Sequence, residues 1–414
     1  MTSTHRQLHG QLHGQLHGDV SPGFERVRRA FEENFERHGE VGAALCVRRE
    51  GRVVVDLWGG SADPAAGRAW EADTLTNSFS CTKGLVAACF LRLAAQGRFD
   101  YDAPLARYWP ELAAPARGPG AHAAWEEARA TLTGRHLLNH RAGLLGVRAP
   151  LTLDDLEDRA LLSARLAAEP LAWRPGDAQG YHAVTFGLYA GELFWRVAGE
   201  SVGAFLRREL AEPLGADVHL GLPAALDARC APIIPGGARD LLCGILPSLL
   251  RGTTEGRFFR GVLRGGDAAR AFGQPAALGA RGLHNFNTPR VRRLELPWAN
   301  AAASGRGLAT FYAGLLEGRV APLAALAPLR ARQSWSERDR VVGKPMGFTQ
   351  GFLKEGAGVF SPNEASFGHS GAGGALGWCD PDAGLAIGYV MNRMGYHVRS
   401  PRAQRLCDAI YACL

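Results

Sequence analysis

Ser78-Phe79-Ser80-Cys81-Thr82-Lys83-Gly84, running straight into Leu85-Val86-Ala87-Ala88-Cys89-Phe90-Leu91, is the stretch on which the reading of this chain turns. The almost unbroken apolar run over Gly84–Gln96 predicts a buried helix. Ser80 and Lys83 stand three apart at its start, and residues i and i+3 of a helical turn share a face, so hydroxyl and amine can meet. A lysine that has lost its proton can take the serine proton and make Oγ a nucleophile. The helix start also offers backbone N–H groups and a positive dipole end to a developing oxyanion. Only three lysines exist, Lys83, Lys344 and Lys354, among 47 basic residues. Arginine therefore serves wherever a fixed positive charge suffices, and arginine cannot lose its proton. The rival reading is an ordinary serine near a helix start with a surface lysine one turn in. Spacing alone leaves both open.

Working outward, Phe24, Val27, Phe31 and Phe35 recur at helical spacing over Phe24–His38. Val41–Val47 and Arg52–Trp58, separated by R-R-E-G, predict a β-hairpin. Strand character returns at Ala375–Cys379 and Leu385–Met391 across D-P-D-A-G, and a last helix is expected over Ala403–Tyr411. Between them, Asp102–Leu220 is dominated by helical patterns punctuated by Pro and Gly. The expectation is an α/β fold: one antiparallel sheet built from both termini and flanked by helices, plus a mainly helical second domain, with the site in the cleft between them. In domain terms, residues 1–20 would be a flexible tail, 21–101 and 298–414 the sheet domain, and 102–297 the helical domain. The Gly- and Arg-rich stretch 231–297 would be an irregular flap.

Composition narrows the function classes. With 414 residues, 46% hydrophobic and 21% charged, the chain reads as globular, not disordered. The net charge of +7 comes from basic residues scattered among 40 acids, with no stripe or nucleic-acid module, so nucleic acid is not an expected partner. Leu241–Leu250 and Leu85–Ala95 fall well short of the ~18–20 residues of a spanning helix, so no stable membrane insertion is expected. Met1–Gly18 lacks the apolar middle of a secretory signal, and a cytoplasmic location is the expectation. Eight cysteines without a C-x-x-C pair read as reduced, mostly buried small hydrophobes. Gln7–Gly18 is Q-L-H-G three times over. It reads as a mobile tail in preference to a metal-binding tract of His9, His13 and His17. His136 and His140 are four apart, a possible metal pair, but no H-E-x-x-H surrounds them and no third ligand is obvious. The expectation is an enzyme with no metal and no cofactor.

At this point the chain resembles the serine β-lactamase and penicillin-binding-protein-like hydrolases. The branch it is most similar to is the family VIII carboxylesterases, which look like class C β-lactamases. The resemblance covers about Asp19 to Leu414. Ser78–Gly84 matches the nucleophile motif, and Leu137-Leu138-Asn139-His140-Arg141-Ala142-Gly143-Leu144 looks like the family's L-L-x-H-x-x-G-L segment. Pro175-Gly176-Asp177 with Gly180-Tyr181-His182-Ala183 resembles the segment carrying its tyrosine, and Pro213-Leu214-Gly215 another landmark. Gly368-His369-Ser370-Gly371-Ala372 stands in the place of the lactamase K-T-G motif. The resemblance implies Ser80 as nucleophile, Lys83 as its base, and Tyr181 as proton relay to the leaving group. It also implies an oxyanion hole from the Ser80 and Ala372 N–H groups, with His369, Ser370 and Gly371 along the substrate edge. Two departures matter: Ala183 sits where class C lactamases usually carry Asn, and His369 replaces Lys. Both point away from antibiotics and toward simpler esters.

The expected activity is therefore a serine carboxylesterase acting on small-molecule esters with small to medium acyl groups through a Ser80 acyl-enzyme. An acyltransferase, a β-lactamase or a peptidase would use the same intermediate, and a non-catalytic binding relative would keep the fold alone. A different enzyme class would read Gly368-His369-Ser370 as the start of G-x-S-x-G, with Asp380, Asp382 and His397 as partners. Its fifth position, however, is Ala372, and too little chain follows. Oligomeric state is left open by the sequence.

Overall fold

The computed structural model describes residues 15–113, 123–237 and 240–414. Its backbone is one antiparallel sheet with strands β1 (Leu16–Val20), β2 (Gly42–Arg49), β3 (Arg52–Asp63), β4 (Ser334–Ser336), β5 (Met346–Thr349), β6 (Phe352–Leu353), β7 (Phe367–Ser370), β8 (Leu376–Asp380) and β9 (Leu385–Met391). They run β1-β3-β2-β9-β8-β7-β6-β5-β4, so the sheet is assembled from both ends of the chain. The β2–β3 hairpin closes through Glu50 and Gly51, both at positive φ (48° and 78°). That is the two-residue turn whose twist matches the strands it joins. At the β8–β9 turn, Asp380 Oδ1 accepts from the Asp382 and Ala383 amides and substitutes for missing backbone partners.

Side-chain alternation splits the core into two layers. Ala43, Leu45 and Val47 of β2, with Leu385, Ile387, Tyr389 and Met391 of β9, join Val27, Phe31 and Phe35 of helix α1 (Glu25–Arg37) on one face. Leu406 and Ile410 of the C-terminal helix Pro401–Tyr411 complete that layer. Ala44, Ala386 and Val390 point the other way, toward helix α2 (Cys81–Ala95) and Leu308 and Phe311 of the helix Gly305–Leu316. The second face is lined by small residues because that helix comes very close. A Cβ on Gly388 would lie 2.2 Å from the Gly305 carbonyl oxygen. Helix α3 (Thr185–Ala198) packs against α2, which is buried on nearly every side, as its sequence predicts.

Two expectations need correction. The tail 1–20 is not free throughout: Leu16–Val20 pairs with Val55–Gly59 as an edge strand, and His17 stacks on Trp58. Alternating Leu16 and Val20 give that segment a half-buried face, which the repeat had disguised. His9 and His13 lie outside the described residues. The stretch 231–297 is also more ordered than a flap, with helices through Leu241–Ile245 and Leu246–Leu250, then Thr254–Leu263, Asp267–Phe272 and Pro289–Arg293. Ala231, Ile233, Leu278, Phe286, Val291 and Leu296 enter the main core, and Ala268 and Ala271 the other layer, so only the part from about residue 240 to 266 is peripheral. Among the described residues, no helix is long and apolar enough to cross a membrane.

Candidate active site

A second, very small sheet of Leu75–Asn77, Val218–His219, Cys230–Ala231 and Ala302–Ala303 delivers the chain to the start of α2. Ser78 then donates from its amide and its hydroxyl to the Ala301 carbonyl, each at 2.8 Å, and Thr82 Oγ1 accepts from the Ala301 amide at 2.9 Å. Between these anchors Phe79 adopts φ +46°, a conformation that costs a bulky residue about 1–3 kcal/mol and persists only where its surroundings impose it. Its ring is held against Phe286, centroids 5.4 Å apart. The outcome is a sharp turn that leaves Ser80 partly exposed while Cys81, Thr82 and Lys83 are buried.

Lys83 is fully buried, and its Nζ lies 2.8 Å from the Ala183 carbonyl, 2.9 Å from that of Trp298 and 3.2 Å from Ser80 Oγ. Burial, with no carboxylate to offset it, holds the amine well below the usual lysine range. A neutral amine has two N–H groups and one lone pair. In that neutral form the two carbonyls can take both N–H groups, which leaves the lone pair for the serine hydroxyl. Lys344 shows the contrast: equally buried, it pairs with Glu355 at 3.0 Å. Lys354, also buried, donates to the Ser366 carbonyl.

Tyr181 places its hydroxyl 2.9 Å from Ser80 Oγ. Burial raises its pKa above the usual phenol value, so it stays protonated and donates. Its loop is clamped from two directions. The His140 carbonyl accepts from the Gly180 amide at 3.1 Å, and His140 Nδ1 accepts from the His182 amide at 3.0 Å. On the other side Asp339 Oδ1 accepts from the amides of Tyr181, Val341 and Val342. The ring stacks on Phe348 at 9° between planes. His136 and His140, possible metal partners by spacing, both spend Nδ1 inside the fold: His136 Nδ1 lies 3.1 Å from the Thr133 hydroxyl at its own helix start.

The glycine-rich segment after β7 forms the opposite wall. A Cβ on Gly371 would fall 2.2 Å from the Ser78 carbonyl oxygen, so only glycine permits this approach of β7 to the Ser78–Ser80 turn. The Cys81 thiol, pushed up to about 12 by burial and hence protonated, donates to the His369 carbonyl at 3.2 Å and ties α2 to the same strand. Ala372 is exposed beside this contact. His369 Nδ1 donates to the Ser370 carbonyl at 2.7 Å, leaving Nε2 as a buried lone pair without a partner among the described residues. Burial, and then neighbouring Lys83, push this imidazole down to about 3, so at neutral pH it is an uncharged acceptor.

Ser80, Lys83, Tyr181, His369, Gly371 and Ala372 are thus brought to one place. Ser370 is not joined to the partners a G-x-S-x-G enzyme needs. Asp380 is occupied by Ser361, Asn363 and Tyr411, Asp382 by Arg330, and His397 stacks on Tyr396. Sequence reasoning missed Asp339, the clamp made by His140, and the carbonyls of Ala183 and Trp298. Backbone carbonyls leave no signature in a sequence. His140 sat inside a quoted motif, with only its role unread.

A long antiparallel sheet, a buried helix opening on Ser-x-x-Lys, and a tyrosine on the serine define the β-lactamase/transpeptidase-like fold. The chain matches the Beta-lactamase family model over residues 27–409 and belongs to that family. It is 34% identical over 389 residues to Esterase/beta-lactamase LipL of Mycobacterium tuberculosis, covering 91% of this chain and 82% of that protein. A crystal structure of a family VIII carboxylesterase superposes with a TM-score of 0.81 at 35% identity, covering 97% of this chain and all of the other. A penicillin-binding protein homologue from Caulobacter crescentus gives 0.80 at 32%, again over 97% and 100%. The protein is an esterase/β-lactamase-like hydrolase.

Proposed function

We propose that this hydrolase is a serine carboxylesterase that works through an acyl-enzyme on Ser80. The observation that carries the reading is the Lys83 amine, buried with no carboxylate beside it among the described residues, held at 2.8 and 2.9 Å from two backbone carbonyls and at 3.2 Å from Ser80 Oγ. In the first half-reaction Oγ bonds to the ester carbonyl carbon while its proton moves to Lys83 Nζ. The carbonyl oxygen becomes an oxyanion between the N–H groups of Ser80 and Ala372. As the tetrahedral species collapses, the C–O bond to the alcohol breaks, Tyr181 gives its proton to the departing alkoxide, and Lys83 reprotonates Tyr181. Water then attacks the acyl-enzyme by the same relay in reverse, releasing the acid and regenerating Ser80.

Substrate preference follows from His369. Where a lysine would present a cation to a carboxylate, this position carries an uncharged, buried imidazole, which removes the cation and suits an uncharged ester. Together with Ala183, this favours small to medium acyl esters over β-lactams. The test is intact mass after fluorophosphonate treatment of the parent, Ser80→Ala and Ser370→Ala, alongside turnover of short-chain nitrophenyl esters and a cephalosporin. A single adduct that disappears only in Ser80→Ala, with esters turned over far faster than the cephalosporin, is the expected result. An adduct lost only in Ser370→Ala would overturn the site, and comparable cephalosporin turnover would overturn the preference.

A further inference from the structure

Large apolar side chains left exposed on this molecule do not scatter. Of twelve among the described residues, seven lie between 241 and 272, in the helical part of the excursion. Leu242 is 61% exposed, Leu263 74% and Leu250 91%. The first two helices cross as a hairpin held by Arg260, which donates to the carbonyls of Leu249 and Arg251. The same 32 positions carry five arginines against two acids, Glu255 and Asp267. Both acids are engaged, Asp267 with Arg340 at 2.9 Å and with Arg270 at 3.9 Å, and Glu255 with the Val398 amide, whereas Arg251 and Arg264 are exposed. An exposed apolar stretch with this excess of arginine is complementary to anionic headgroups over acyl chains. A water-filled or acidic-protein partner would leave the leucines unused.

This surface also borders the site. Phe272, part of the exposed set, has its ring centroid 6.5 Å from that of Tyr181, and Phe258 lies 5.4 Å from Phe272. We infer that residues 241–272 seat the protein peripherally on an anionic lipid surface, with the mouth of the site turned toward esters dissolved in that phase. The seating is of the interfacial kind, since the helices are too short to span. Its second half, the substrate phase, rests on the esterase reading; the seating does not.

The test is co-sedimentation of the full chain with vesicles of phosphatidylcholine alone and of phosphatidylcholine with phosphatidylglycerol. The parent is expected to sediment with the anionic vesicles and to be released by salt. Leu242→Glu/Leu250→Glu/Leu263→Glu should lose about tenfold in partitioning while hydrolysing a soluble short-chain ester as the parent does, which shows that it folds. A Ser80→Ala variant that sediments like the parent separates seating from chemistry, so failure of the esterase reading would leave the seating intact. No sedimentation of the parent, or equal sedimentation of the triple variant, overturns the proposal. So does a dimer in light scattering that the triple variant abolishes without any vesicle binding, because the occupant would then be a second copy of this chain.

Discussion

The proposed Ser80 mechanism depends on one protonation state. Lys83 must be neutral to accept the serine proton, and burial lowers its folded pKa below the ordinary 10.5. The active fraction therefore grows as pH rises through that lowered value, giving kcat/KM an acid limb well below the titration of an exposed lysine. His369, at about 3, is too acidic to contribute a limb at neutral pH. We expect Lys83→Arg to abolish the limb and to reduce kcat by about 10²–10⁴-fold, since guanidinium stays charged. A pH–rate profile of parent and variant checks this, and an unchanged limb in Lys83→Arg would assign it elsewhere. Lysine scarcity alone would not have found this residue. All three lysines are buried, and the spacing to Ser80 is what distinguishes Lys83.

At the scale of elements, what was legible was whatever carried a period or a turn. The β2–β3 hairpin announced itself by alternation around Glu50-Gly51, and α2 by an apolar run long enough to be a helix buried on all sides. The small sheet was illegible because strands such as Ala302–Ala303 and Val218–His219 are two residues long, too short for any period. Leu241–Leu250 carries Pro247 inside a continuous helical run, and the turn before it, Leu241–Ile245, is wound as a π-helix, a widening no sequence period announces. The candidate site was half legible for a related reason. Ser80 and Lys83 are local, whereas the carbonyls that orient the amine come from 100 and 215 residues downstream. The packing of Gly305–Leu316 on the sheet makes its own prediction. Gly388→Ala puts a methyl 2.2 Å from the Gly305 carbonyl oxygen and should destabilise by about 1–3 kcal/mol, read as a lowered urea midpoint with an unchanged slope. An unchanged midpoint would mean that this helix can shift freely.

For the whole molecule, the sheet is closed by its ends: α1 and the C-terminal helix cover one face, and β1 lies along the outer side of β3. That strand is 12 residues long, and β1 occupies the hydrogen-bonding edge of its residues 55–59. Removing residues 1–20 would turn β3 into an open edge strand, the geometry that recruits further strands from other molecules. We expect the shortened chain to form concentration-dependent aggregates in light scattering, and a monodisperse sample at the parent's size would refute this. Anyone preparing the protein inherits a practical rule from these few residues. Trimming the repeat as dispensable starts one strand too late, an affinity tag placed just before Leu16 crowds a working part of the sheet, and Leu414, half exposed behind the last helix, offers the better point of attachment.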